Sequence, residues 1–307
     1  MAAVPGTGHP GAVPSHPRID GDGVVSGVVP GQRHLDIVIG GIGVRLRSVS
    51  DAFVAMMAER FAGFIQTGAQ APHVLDVTLL PPPAITDEAE VEDDEESLEH
   101  GVEVTRTSSG WRLTRSDFHV EWDPAARSGR IELVPNPYSL DSILRILLTV
   151  ALAGEGGMLL HASSVVLNGR AYVFTGVSGA GKTTISRLAP EGAHLLTDEM
   201  SFIRQEGGEY FAHGTPFAGE LAIPGESTSA PLAGIFLLAQ GPGNLIEPLS
   251  PGDAVRTLMS NILYFAKDGA LTSQVFDNAI SLASRVPVRR LTFYPDARVW
   301  DLFGKDA

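Results

Sequence analysis

Residues Gly176-Val177-Ser178-Gly179-Ala180-Gly181-Lys182-Thr183 fit the spacing GxxxxGK[ST], and their flanks fit it as well. Ala171–Thr175 is a β-rich run ending at Gly176, while Ile185, Leu188 and Ala189 recur at helical spacing up to Pro190. Strand, glycine loop and helix in that order point to an α/β unit. Glycines let successive backbone N–H groups curl around phosphates, and the N-terminus of the following helix adds partial positive charge. The expected ligand is a purine nucleoside triphosphate with magnesium. Gly176, Ser178, Gly179, Ala180, Gly181, Lys182, Thr183 and Thr184 form its cradle, Lys182 reaching the β and γ phosphates and the Thr183 hydroxyl ligating Mg2+. The competing explanation is a glycine turn with no ligand.

The loop alone does not separate ATPase, GTPase and kinase. Upstream, Leu159–Leu167, the turn Asn168-Gly169 and Arg170–Thr175 predict a hairpin feeding the loop. Downstream, His194-Leu195-Leu196-Thr197 runs into Asp198-Glu199. This acidic pair ends an apolar strand expected beside the phosphate loop, where a magnesium-organising carboxylate belongs. Asp198 and Glu199 therefore join Thr183 as expected metal ligands. Two such carboxylates can divide the labour, one holding the metal or its water and the other accepting a proton from an attacking hydroxyl. From the residues alone, His161 reads as a satisfied strand histidine.

The order Leu160-His161, Asn-Gly turn, GVSGAGKTT and LLTDE resembles the catalytic domain of HPr kinase/phosphorylase, and more closely the looser group of HPr-kinase-related bacterial kinases. The resemblance covers about Leu159–Leu238, including His213-Gly214-Thr215-Pro216-Phe217, and is fainter beyond. It implies that Lys182 and Thr183 bind triphosphate and metal, that Asp198 is the catalytic carboxylate, and that His161 lies by the acceptor. It also implies self-association into a homo-oligomer. This sequence departs from the family pattern in having Asp-Glu in place of Asp-Asp, and its N-terminal half does not match the regulatory domain of HPr kinases. The loop is also similar to that of ATP-dependent phosphoenolpyruvate carboxykinase, for which 307 residues is short.

Around this unit the chain divides. Residues 1–33 lack hydrophobic periodicity and read as a disordered leader. Residues 34–135 read as an α+β domain. Its parts are a hairpin turning at Gly40-Gly41, a helix capped by Ser50 or Asp51, and an antiparallel meander over Val102–Val104, Trp111–Leu113, Phe118–Trp122 and Ile131–Leu133. Asp87–Glu99, within a flexible insertion at 86–99, carries nine acidic residues and no basic one; without them the net charge of −14 becomes −5. Residues 136–307 form the loop-bearing domain with a mixed sheet. It opens with an apolar helix capped by Ser139 and includes a helix starting at Ser250-Pro251 and a strand over Val286–Phe293 bearing Arg289 and Arg290.

With no cysteine, a disulfide framework, thiolate metal ligation and a cysteine nucleophile are all excluded. No segment reads as a signal peptide or a membrane span, so the expectation is a cytoplasmic protein with no membrane or nucleic-acid partner. The sequence as a whole leads to an ATP- and magnesium-dependent kinase acting on a hydroxyl of a peptide, protein or small molecule. Asp198, His161 and Lys182 are its catalytic residues. The alternative is a regulatory ATPase that binds nucleotide and transfers phosphate to no acceptor.

Overall fold

Gly40 and Gly41 both adopt left-handed backbone, with φ of 55° and 81°, the conformation of a tight turn matched to strand twist. They join β1 (His34–Ile39) to β2 (Ile42–Ser48) as an antiparallel hairpin. The structure, a computed structural model, describes residues 34–48, 50–70, 72–81, 101–263 and 266–303. The expected leader and acidic insertion lie outside the described residues.

Ser50 caps α1 (Asp51–Arg60) by accepting from the Phe53 N–H, and Phe53, Val54, Met57 and Ala58 turn inward. Then comes a strand that the sequence reading passed over, β3 (His73–Leu79), whose buried His73, Leu75 and Val77 alternate with more open positions. It is parallel to β2 on one side and to the later segment Ser128–Leu133 on the other. The expected meander follows as β4 (Glu103–Arg106), β5 (Trp111–Arg115), β6 (Phe118–Asp123) and β7 (Ser128–Leu133). One mixed seven-stranded sheet results, in the order β1-β2-β3-β7-β6-β5-β4.

The apolar helix α2 (Pro137–Gly154) is capped by Asn136, whose side chain accepts from the Tyr138 N–H, with Pro137 at the first helical position. Ser139, expected to be the cap, is inside the first turn and donates its hydroxyl to Asp117. Ser139–Thr149 is buried without a break, so the helix is covered on every side. It is the one described helix long and apolar enough to cross a membrane by length and composition, against the expectation that no segment reaches that threshold. Here its surroundings are protein: Leu140, Ile143, Leu144 and Leu147 belong to one apolar cluster with Leu35, Ile37, Trp111 and Ile131 of the first sheet, with Leu159 and Phe202 of the second, and with Phe61 and Phe217 outside the strands.

The second mixed sheet has eight strands. Asn168 and Gly169, both at positive φ (53° and 74°), turn β8 (Met158–Leu167) into β9 (Arg170–Thr175). β8 then serves several partners, pairing with β11 (Met200–Glu206) through Met158–His161 and with β9 through Ala162–Leu167. β13 (Ser229–Gln240) likewise meets β12 (Glu209–His213) early and runs parallel to β9 and β15 (Val288–Phe293) later. β10 (His194–Thr197) and β14 (Leu245–Pro248) flank the two ends.

One face of this sheet is covered by α4 (Pro251–Asn261, capped by Ser250) and α5 (Gly269–Arg285), which pack over Leu160, Val173, Leu232 and Ile235. The other carries α3 (Lys182–Arg187) and a 3-10 turn at Ala297–Leu302, over Phe174, Phe236, Leu291 and Phe293. Among the described residues the architecture is thus a mixed α/β fold built on two mixed sheets, of seven and eight strands.

Candidate functional site

β9 delivers the chain to the glycine loop. Gly176, Gly179 and Gly181 take φ of 154°, 75° and 107°, a region that side-chain-bearing residues rarely enter. Space agrees with conformation, since a Cβ on Gly181 would come within 2.7 Å of the Phe293 ring and one on Gly176 within 2.9 Å of Ala180 Cβ. The Ala180 N–H donates to Val177 O at 3.0 Å, and Gln240 Nε2 donates to Gly179 O at 2.9 Å. Val177, Ser178 and Gly179 remain exposed at the loop tip, and Thr183 and Thr184 are half-buried just inside the helix.

The helix after the loop is shorter than its sequence pattern predicts. α3 ends at Arg187, and Leu188 and Ala189 belong to the turn beyond, with the Ala189 N–H bonded to Ser186 O. What fixes α3 is tertiary, because the Trp300 indole N–H donates to Ile185 O at 3.1 Å and Ser163 Oγ donates to Lys182 O at 3.3 Å. Lys182 is buried, and its ammonium lies across the mouth of the loop, donating to Gly176 O at 3.2 Å.

The acidic pair arrives by a different route from the one expected. β10 is not beside β9, since β8 stands between them. β10 and β11 instead follow one another along the same edge of β8, and Asp198 and Glu199 fill the gap. The register slips between Leu195 and Thr197, a β-bulge of the kind that re-aims neighbouring side chains. Thr197 Oγ1 accepts from the N–H groups of Glu199 and Met200, both at 3.1 Å, and holds the bend.

The two carboxylates then part company. Asp198 is buried and accepts from the Gly219 N–H (2.8 Å) with one oxygen and from the Leu221 N–H (2.7 Å) with the other. It pins the segment after Phe217 to the sheet. Glu199 is only partly buried, and its Oε1 lies 3.3 Å from His161 Nδ1. Burial by itself would raise the Glu199 pKa. The hydrogen bond from His161, together with the charges of His161, Arg145 and Lys182, outweighs it and holds the carboxyl below the usual glutamate range. Gly219 sits against both acids, so that a Cβ there would fall 2.8 Å from Glu199 Oε2 and 3.1 Å from Asp198 Oδ2.

The residues named from sequence therefore divide into a loop group (Gly176, Ser178–Thr184) and an acid group (His161, Asp198, Glu199), joined through β8 and β9, where Thr175 Oγ1 donates to His161 O at 2.9 Å and Ser163 Oγ to Lys182 O at 3.3 Å. Among the described residues no three His, Asp or Glu side chains gather into a metal cage. His213 is not part of this constellation. It packs edge-on against Phe202 and its Nε2 lies 3.2 Å from Glu206, and burial pushes its pKa down.

Sequence reasoning missed a buried cluster behind the site. Arg60 of α1 pairs with Asp141 of α2 and donates to Pro216 O at 3.4 Å; Arg145, one helical turn after Asp141, lies 5.0 Å from the centroid of the Phe217 ring. Two charges inside a run as apolar as Leu140–Leu152 were the visible signal.

Comparison with known proteins adds one finding. No curated protein matches the sequence. The model of the SynChlorMet cassette protein ScmC family matches residues 138–305, more than half of the chain and the whole of the second sheet with its loop, and the chain belongs to that family.

Proposed function

We infer that the protein is an ATP- and magnesium-dependent kinase that moves the γ-phosphate onto a hydroxyl of a peptide, protein or small molecule. Its second sheet would carry an HPr-kinase-like phosphate-binding domain. The observation that best supports this reading is that the loop of left-handed glycines and the Glu199–His161 pair are tied to the same two strands, Thr175 Oγ1 donating to His161 O at 2.9 Å and Ser163 Oγ to Lys182 O at 3.3 Å.

In this reading the backbone N–H groups at the exposed loop tip, Val177–Gly179, receive phosphate oxygens, and Lys182 turns from Gly176 O to the γ-phosphate. Thr183, with phosphate oxygens and waters, would hold magnesium, which when bound supplies positive charge to the phosphate being transferred. Asp198 has spent both oxygens on backbone donors, so the proton of the attacking hydroxyl passes to Glu199, with His161 fixing its orientation. As that O–H bond breaks, the acceptor oxygen bonds to the γ-phosphorus and ADP leaves with the electrons of the bond it loses. Most of the catalytic effect is alignment and charge.

The test is to incubate the protein with γ-labelled ATP and magnesium in the presence of serine-bearing peptides and a cell extract. Label on an acceptor supports the kinase. Label released only as free phosphate supports the regulatory ATPase, and absence of nucleotide binding by calorimetry overturns both.

A further inference from the structure

At the other end of β9 from the glycine loop, a cavity of about 300 Å3 opens between the starts of β9 and β15 and the end of α5. That volume lies at the lower end of small-molecule sites. Tyr172, Phe236 and Phe303 line it, each nearly buried. The Phe303 ring stands edge-on to both others, with centroids 5.0 Å from Tyr172 and 5.1 Å from Phe236. Such a trio offers ring faces and edges to a flat apolar guest.

The charged residues at the same cavity are Arg170, Arg285, Arg289 and Glu209. Three arginines against one glutamate leave two positive charges, in a chain whose net charge is −14. Arg170 is matched by Glu209 at 3.3 Å. Arg285 and Arg289 have no ion-pair partner among the described residues, and both are exposed. Arg289 shares a side of β15 with the buried Leu291 and Phe293, whereas Arg290, in register with Glu247 of β14, alternates to the other side. One member of the basic pair is thus aimed at the aromatic cavity.

We propose that this cavity is a binding site for a small aromatic carboxylate, its ring against Tyr172, Phe236 and Phe303 and its carboxylate held by Arg285 and Arg289. Guanidinium forks match a carboxylate geometrically as well as electrically. The site is separate from the glycine loop and does not depend on the kinase reading.

The test is calorimetric titration of the full chain with phenylacetate, phenylacetamide and phenyl phosphate. Phenylacetate should bind, the neutral amide at least tenfold more weakly, and Arg285→Gln/Arg289→Gln should weaken phenylacetate by at least tenfold with an unchanged circular dichroism spectrum. Lys182→Ala should bind phenylacetate as the wild type does. Equal binding of acid and amide, no binding of phenylacetate, or loss of its binding in Lys182→Ala would overturn the proposal. Binding of phenyl phosphate alone would overturn the carboxylate assignment.

Discussion

His161 Nδ1 and Glu199 Oε1 lie 3.3 Å apart at the point where one edge of β8 passes from β11 to β10. The backbone closes the same junction, since the Ala162 N–H donates to Glu199 O at 3.0 Å. Together they fix the one acidic side chain of the pair that is not committed to backbone donors. Glu199→Gln keeps the shape of that contact and removes its proton-accepting power. Transfer to an acceptor should fall by about 10² to 10⁴, with little change in melting temperature, when labelled-phosphate transfer and thermal unfolding are followed together.

Asp198→Asn should behave in the opposite way. An amide can accept from one of the Gly219 and Leu221 N–H groups but turns its own NH2 toward the other, leaving a buried donor unmatched. The expected cost is about 1–3 kcal/mol of stability, with faster proteolysis after Phe217. An unchanged denaturation midpoint with abolished transfer would return the proton-accepting role to Asp198.

Lys182→Ala removes both the ammonium at the loop mouth and its bond to Gly176 O. Transition-state stabilisation should drop by about 2.7–4 kcal/mol, or 10² to 10³ in turnover, measured at saturating ATP and magnesium. Turnover equal to the wild type would remove the loop from the mechanism.

Arg60→Ala leaves Asp141 buried beside Arg145 without its main ion-pair partner. Burial already raises the Asp141 pKa against the pull of Arg60 and Arg145, so the variant should lose on the order of 3 kcal/mol of stability. Adding Asp141→Asn should recover part of the loss in urea unfolding; no recovery would place the role of Arg60 in its contact with Pro216 O instead.

His73 gives the protein an acid-side weakness. Burial, with a smaller contribution from the charge of Arg127, lowers its pKa from 6.5 to about 4, and its Nδ1 accepts from the Trp122 indole N–H at 3.3 Å. Between these values the unfolded chain binds a proton that the folded one refuses, so stability rises with pH across the window and levels off above it. Lowering the pH from 6.5 to 4 should cost about 2–3 kcal/mol through this group. His73→Gln should flatten that part of the urea-midpoint profile.

Local pattern made several elements legible. The Gly40-Gly41 and Asn168-Gly169 turns, the caps at Ser50 and Ser250 and the meander rest on short-range chemistry that the residues display directly. β3 was missed because its alternation is brief and its pairing is parallel to two strands distant in sequence. α2 was visible as a helix, but its cap was misplaced, because Ser139 and Asn136 are both good cap residues and only the contact with Asp117 takes Ser139 out of contention.

By itself the sequence determined the strand–glycine loop–helix unit, since spacing and glycine conformation are properties of a few adjacent residues. It also determined which side chains were candidates for the chemistry. The tertiary structure decided how those candidates divide. Asp198 and Glu199 are neighbours with nearly the same functional group, and no local rule separates them. The separation comes from the bulge that slips the register before Thr197, from the N–H groups of Gly219 and Leu221 that take both oxygens of Asp198, and from His161 on β8, which meets Glu199. Those partners lie about 20 to 40 residues away along the chain, so the roles exist only once the strands have paired.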